Sequence, residues 1–423
     1  MANLVQPELA NYCPASNLAF NERIKRLREA GNNIYHFAFG QSPFPVPSEL
    51  QEALKENTYR SAYLPVAGNE ELRIEIARLH SRYDGLKVDS ENILVGPGSK
   101  ELIFLLFRIF NGKILCISPT WTTYRPQAHL AGRDSFIINT NYENQWKITP
   151  DMVKKTLVEA NIDGMKENKL LVLCNPDNPT GATYNETELK ALTETFKENN
   201  ILVLTDEIYG RLHYQQKHCT LANFYPEGTI LSSGFSKWSS AGGWRVGYHI
   251  YPEKLNELRN GVKSAASHTF SCAPAPMQYA LTEYLRNETA VDSYIKHCSR
   301  VLACVEKYCR EALCDVGVRV VPSGGGFYMM PDFEVVRESL SRRNIHTGQQ
   351  MCDAMLDECN VALMSGGPAF LRPNNELTVR FCYVNFDGTK PLEKSREIGL
   401  DNPLPKGFME EYIPDMCNGI KVG

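Results

Sequence analysis

The sequence predicts an α/β fold with a mostly parallel sheet, and three observations lead there. Between residues 92 and 251 short apolar runs alternate with helical stretches, the pattern of parallel strands joined by crossovers. Most of the residues able to do chemistry fall where those runs end, and open α/β sheets collect ligands outside the carboxyl ends of their strands. At 423 residues the chain is too long for one simple core and suits two domains.

Along the chain, the first 48 residues contain FAFGQSPFPVP, too irregular to fold alone and expected to pack across both units. GPGSKELIFLLFRIF reads as a glycine turn that opens a helix. The candidate strands are KILCIS, DSFIINT, LLVLC, ILVLT, TILSS and RVGYHIY. Residues 255 to about 286 are helical in pattern, and CSRVLACVEKYCREAL continues with apolar residues at helix spacing. VRVVPSGGGFYMMPDF sets a glycine break between two strand-like runs and begins a second, smaller unit, followed by a helix around Thr347 to Asn360. The closing DNPLPKGFMEEYIPDMCNGIKVG is broken by prolines and reads as a peripheral tail.

Composition excludes several classes of function. With 45 Lys and Arg against 49 Asp and Glu, the net charge of -4 leaves no basic stripe for nucleic acid and no polybasic segment for a membrane surface. No run approaches the ~20 apolar residues of a membrane span, and MANLVQPELANYCPAS lacks the pattern of a leader peptide. A cytoplasmic location is expected. The 13 cysteines are scattered without CxxC pairs, so reduced thiols and no metal are expected. Cys298, Cys304, Cys309 and Cys314 read as small hydrophobes on a helix.

The most informative segment is SGFSKWSSAGGWRVGY, downstream of CNPDNPTG and LTDEIYG. Lys237 beside a hydroxyl, Arg245 a glycine-bearing loop later, and Asp206 at the end of an apolar run suit a phosphorylated pyridine aldehyde. A primary amine condenses with an aldehyde, and burial near another cation lowers its pKa enough to react. The competing reading of Lys237 is a solvated surface lysine. Asp206 would keep a pyridine nitrogen protonated and make the ring an electron sink, or it caps a helix. Tyr209, three residues on, would share a helical face with Asp206 and reach the ring hydroxyl, or it is core. Arg245 offers a planar fork for phosphate, opposite Gly98 and the amides of Ser99 and Lys100 at a helix start. Trp121 lies flat on the ring or sits in the core. Arg380, on the strand face opposite Leu377, Val379 and Phe381, binds a carboxylate bidentately or points to water.

Together these residues resemble the fold-type I pyridoxal phosphate enzymes, specifically the class I and II aminotransferase family with its aspartate aminotransferase-like members. The likeness runs from about Ala38 to Asp387 through FGQSPFP, SAYLPVAGNEELR, GPGSKE, PTWTTY, NPDNPTG, DEIYG, the SK with its arginine, GGGFY and VRFCYV. It implies a three-layer αβα large domain over 49–295 and a smaller α+β domain built from 1–48 and 296–423. It also implies pyridoxal 5′-phosphate as cofactor, with Lys237 as its Schiff-base lysine and Asp206 on the pyridine nitrogen. Tyr209 and Asn178 would bond the ring hydroxyl, Trp121 would stack on the ring, and Gly98, Ser99, Lys100 and Arg245 would hold the phosphate. Tyr63 matches a tyrosine lent to the neighbouring subunit's phosphate, which implies a homodimer with shared active sites. Arg380 and Gly40 match the contacts to the substrate α-carboxylate. Arg108 stands about two turns beyond the phosphate loop, where some members place a cation for a distal carboxylate, or it reaches solvent.

Two departures from the family pattern stand out. Gly234 occupies a place where the family often has a phosphate-binding serine, with Ser233 or Ser236 as substitutes, and the C-terminus is proline-rich where a long helix is common. The implied reaction is ping-pong transamination between an amino acid and a 2-oxo acid. The alternatives are a pyridoxal phosphate-dependent lyase or a cyclopropane-forming synthase on the same fold, and a non-enzymatic amino-acid sensor, which would need an appended DNA-binding unit.

Overall fold

The computed structural model describes residues 4, 5, 9 and 16–422. Cys13 and most of the N-terminal stretch read above for a leader lie outside them. In chain order the strands are β1 (Tyr35–His36), β2 (Ile93–Gly96), β3 (Lys113–Ser118), β4 (Ser135–Asn139), β5 (Lys169–Cys174) and β6 (Ile201–Asp206). They continue with β7 (Thr229–Gly234), β8 (Gly247–Ile250), β9 (Tyr328–Met329), β10 (Val361–Ala362), β11 (Met364–Ser365) and β12 (Val379–Cys382).

The main sheet has seven strands in the order β2-β8-β7-β6-β5-β3-β4. β3 to β7 run parallel, as expected for apolar runs buried on both faces between crossover helices. Helices cover both sides: Leu102, Leu106 and Phe107 of Ser99–Ile109 pack on one face, and Val153, Leu189 and Phe196 of Pro150–Glu159 and Glu186–Glu198 on the other. The three-layer α/β architecture follows.

The sheet departs from expectation in two strands. β8 is antiparallel to both β7 and β2, because residues 235–246 return the chain directly without a crossover helix. β2 was not among the candidate strands: its four residues end at once in Pro97 and Gly98, too short for a clear period.

Two smaller sheets, β1-β10 and β11-β12-β9, lie beside a 28-residue helix, Glu288–Asp315. The expected helix near Thr347 is Gly348–Cys359, with a capping box between Thr347 and Gln350 at its start and Asn360 in the left-handed region at its end. The irregular N-terminal segment makes hydrogen bonds to several distant parts of the chain. Phe37 exchanges backbone hydrogen bonds with Ala362 and Cys382, while Ser42 Oγ bonds Ser240 Oγ at 2.6 Å and the Pro45 carbonyl accepts from Tyr294 at 2.7 Å.

The C-terminal stretch is not a peripheral tail. It forms helices Phe408–Tyr412 and Pro414–Val422, and Phe408, Ile413, Met416 and Cys417 are buried in the core that holds Val301, Val305 and Cys309. Pro414 is the first residue of the last helix, where a missing N–H costs nothing and φ is already helical, so the proline starts the helix. Ile413→Ala is therefore expected to destabilise the protein by about 2–5 kcal/mol. The exposed Val422→Ser should change stability by less than ~0.5 kcal/mol, both read from denaturant unfolding.

Candidate active site

The sheet delivers its strand ends to one cavity of about 610 Å³. Gly40, Ser99, Lys100, Trp121, Asn178, Asp206, Tyr209, Lys237, Arg245 and Arg380 all line it, so residues hundreds of positions apart meet as the sequence suggested. Gly98 stands just behind: its φ is +88°, and a Cβ there would come within 2.1 Å of an Arg245 guanidinium nitrogen. Only glycine satisfies both constraints.

Lys237 follows β7 and turns its amine into the cavity, donating to the Gly40 carbonyl at 2.8 Å. The ammonium lies over the rings of Tyr209 and Phe327, at 5.6 and 5.5 Å from their centroids. No carboxylate pairs with it among the described residues. Burial, and then the nearby Arg380 guanidinium, lower its pKa from 10.5 to about 8. That geometry is not the solvated lysine of the competing reading.

Asp206 ends β6 and is buried, which pushes its carboxyl up to about 6. Tyr124 donates to its Oδ2 at 2.6 Å and the Ile208 amide to its Oδ1 at 3.3 Å. Residues 207–209 form a turn before the short 3₁₀ segment Gly210–Leu212, so Tyr209 and Asp206 share no helical face. Tyr209 reaches the cavity because the turn folds back beneath the strand end, and its hydroxyl bonds that of Tyr328 at 2.9 Å.

Opposite, Ser99–Ile109 begins at Gly98 with no side-chain cap, which leaves its first N–H groups free for an anion. Arg245 closes that corner, held by the carbonyls of Gly242 at 2.9 Å and Pro97 at 3.3 Å. Lys100 sits 5.0 Å from the Trp121 ring centroid, and burial together with Arg245 lowers its pKa. Trp121 both lines the cavity and packs against the core, so its two readings are compatible.

The glycine at 234 has a packing cause. It pairs with Gly247 across β7 and β8, and a Cβ would lie 2.9 Å from the Gly247 Cα and 3.0 Å from the Val246 carbonyl oxygen. Ser233 is turned away, donating to the Glu207 carbonyl at 3.3 Å, whereas Ser236 lines the cavity.

Arg380 lies on β12 and is only 1% exposed, so the water-facing reading fails. Its guanidinium donates to the Ala38 carbonyl at 2.5 Å and to Asn178 Oδ1 at 3.4 Å, and stacks 5.2 Å from Tyr328 and 4.9 Å from Phe370. Its Nε has no partner, and no carboxylate neutralises it among the described residues.

Two named residues stay outside. Tyr63 is 90% exposed and does not reach this chain's cavity. Arg108 does not line the cavity either: it lies in the last turn of Ser99–Ile109, about 14 Å along the axis from the end that faces the cavity. It is exposed, because the helix that aims its amino end inward carries its last turn away. Conversely, Tyr124 and Tyr328 belong to the cavity without having been singled out, although SPTWTTY and GGGFY contained them.

An excess of cations and an uncapped helix terminus make this a cavity suited to an anionic ligand. The family profile "Aminotransferase class I and II" matches residues 31–387. Aspartate aminotransferase of Geobacillus stearothermophilus is 28% identical over 89% of this chain and 93% of its own length. Asparagine–oxo-acid transaminase of Streptococcus mutans is 29% identical over 87% and 91%. In structure, aspartate aminotransferase from Thermus thermophilus with maleate superposes with a TM-score of 0.82 at 26% identity, covering 93% of this chain and 98% of that one. The chain belongs to the class I and II aminotransferases. It is a pyridoxal phosphate-dependent transferase of amino groups between amino acids and 2-oxo acids, and the lyase and cyclopropane-forming alternatives are not favoured.

A folded amine that titrates near 8 binds fewer protons than the unfolded lysine between pH 8 and 10.5, so stability of the cofactor-free protein should gain from Lys237 as pH rises through that window. Reductive trapping of a small aldehyde at Lys237, followed by peptide mass spectrometry, should show a rate midpoint near pH 8; one near 10.5 would contradict the burial argument. Gly234→Ser is expected to cost about 1–3 kcal/mol in chemical denaturation, because the added Cβ strains the β7–β8 pair.

Proposed function

We propose that the cavity holds pyridoxal 5′-phosphate in the orientation the strand ends dictate. The free amides at Ser99 and Lys100, with Gly98 and Arg245, take the phosphate; Asp206 takes the pyridine nitrogen; Tyr209 and Asn178 take the ring oxygen; Trp121 lies on the ring. When bound, the cofactor supplies an aldehyde carbon for the substrate amine and a ring that draws electrons from the α-carbon.

Lys237 would be the residue that bonds that aldehyde carbon and, when free, would hold and move the proton at the substrate α-carbon. A pKa near 8 suits both duties, since the amine then gains and loses its proton close to neutrality. Arg380 binds the α-carboxylate through the guanidinium edge that no protein carboxylate occupies, with the Gly40 backbone beside it. Asp206, held by Tyr124, keeps a carboxylate within reach of the ring nitrogen. The observation that carries this reading is the cavity's four cations, Lys100, Lys237, Arg245 and Arg380, facing the single carboxylate of Asp206. Positive charge gathered around one cavity, with Arg380 fully buried, favours a ligand of the other sign, and a phosphate plus a carboxylate provides it.

The substrate pair we infer includes an acidic amino acid, as the names of the aspartate aminotransferase relatives suggest. With Arg108 far from the cavity, Lys100 is the cation left for a second carboxylate. The exposure of Tyr63 suits a homodimer in which it serves the partner's phosphate. The free thiols at Cys116, Cys174, Cys298 and Cys309 suit a reducing cytoplasm.

Mixing the purified protein with L-aspartate and 2-oxoglutarate should transfer the amino group, and Lys237→Ala should abolish both turnover and the cofactor's lysine-linked absorbance. Lys100→Ala should lower kcat/KM for acidic donors by roughly 10- to 100-fold while neutral donors change by less than about three-fold. Equal losses for both would leave Lys100 as a phosphate residue alone.

A further inference from the structure

Four motifs of this chain converge on a side chain to which no role has yet been given. Tyr328, on β9, is 2% exposed and its hydroxyl bonds that of Tyr209 at 2.9 Å. The same hydroxyl faces the Gly40 carbonyl at 3.5 Å, the oxygen that already accepts from Lys237 at 2.8 Å. Its ring supports the Arg380 guanidinium, 5.2 Å from the centroid, and its carbonyl accepts from Ser323 Oγ at 2.7 Å. A Cβ at position 40 would lie 1.9 Å from the Tyr328 hydroxyl, so the glycine leaves room for this phenol and nothing larger. The ring packs edge-on against Tyr209, 5.5 Å between centroids, and against Arg380.

Each phenol carries one proton. If Tyr209 directs its proton to the cofactor's ring oxygen, it has none left for Tyr328, and within that pair only Tyr328 can donate. The Gly40 oxygen competes poorly for the Tyr328 proton, at 3.5 Å against 2.9 Å to the Tyr209 oxygen. We propose that Tyr328 is a positioning residue that acts through Tyr209: by donating to the Tyr209 oxygen it fixes the rotor and aims the Tyr209 proton at the cofactor's ring oxygen. Burial raises the Tyr328 pKa, so the donor stays protonated throughout the working range. A hydroxyl that donates while accepting is polarised, and the pair binds an anionic oxygen more firmly than Tyr209 alone.

The inference rests on the reading of this cavity as the pyridoxal phosphate site. A parent protein that takes up no lysine-linked chromophore would sink that reading; with the chromophore present, the Tyr328 comparison decides by itself. The test titrates the absorbance of the cofactor-loaded protein against pH in the parent, Tyr328→Phe, Tyr209→Phe and the double variant, with thermal unfolding and bound-cofactor content confirming that each is folded and loaded. A donor at the ring oxygen favours its deprotonated form, so weakening the donor raises the midpoint. Tyr328→Phe should raise it by roughly 0.5–1 pH unit, the size expected for one neutral hydrogen bond, and should weaken cofactor binding by about three- to ten-fold. In the Tyr209→Phe background the same change should move the midpoint by less than about 0.2 unit, because its target is gone. A midpoint unmoved in Tyr328→Phe, or moved equally with and without the Tyr209 hydroxyl, overturns the proposal.

Discussion

Repulsion among four cations around one cavity is the constraint on which the rest of this structure depends. The Arg380 guanidinium disfavours the charge of Lys237, Arg245 disfavours that of Lys100 at the helix start, and only the Asp206 carboxylate faces them in the cavity. Ordinary cores avoid such an excess or pair it off, as this chain does elsewhere: buried Arg211 is held by both oxygens of Asp84, and buried Glu207 accepts from Thr205, Thr220 and His218. The contrast separates a site kept open for anionic ligands from the closed polar networks around it.

The fold sustains that arrangement by anchoring three of the four cations to backbone carbonyls. Lys237 is tied to a carbonyl of the N-terminal segment, Arg245 to the carbonyls of two loops, and Arg380 to Ala38. Those carbonyls take up part of the positive charge without neutralising it, so the guanidinium edges and the amine remain available. The N-terminal segment therefore does more than cover the sheet: residues 38–42 touch both Arg380 and the loop of Lys237. Its irregular, proline-rich sequence suits a strap that must present carbonyls in two directions, which neither helix nor strand would do.

Much of the site was legible in the sequence because its residues sit at strand ends and glycine turns, which announce themselves locally. Lys237, Asp206, Asn178 and Arg245 are all of this kind. What was left open or misread depended on long-range geometry. Arg108 shares a helix with the anion corner, which left a distal carboxylate and solvent both open to it, and the direction of that helix favours solvent. The water-facing reading of Arg380 failed because strand alternation says which face a residue takes but not whether that face is covered. β8 carried the pattern of a strand, whereas its direction was set by a connection without a helix. The C-terminus looked like a tail because prolines interrupt its pattern, and the burial of Ile413 and Met416 becomes visible only once the long helix Glu288–Asp315 is in place beside them.

The unneutralised cavity also bears on how long the polypeptide survives in a cell. Without its cofactor the protein confines like charges that the ligand would relieve, so the empty form is the less stable one and the loaded form gains stability with cofactor concentration by mass action. Proteases that sample partly opened chains would then remove the empty form first. On that basis dietary or biosynthetic vitamin B6 would govern not only the fraction of molecules that are active but the number present.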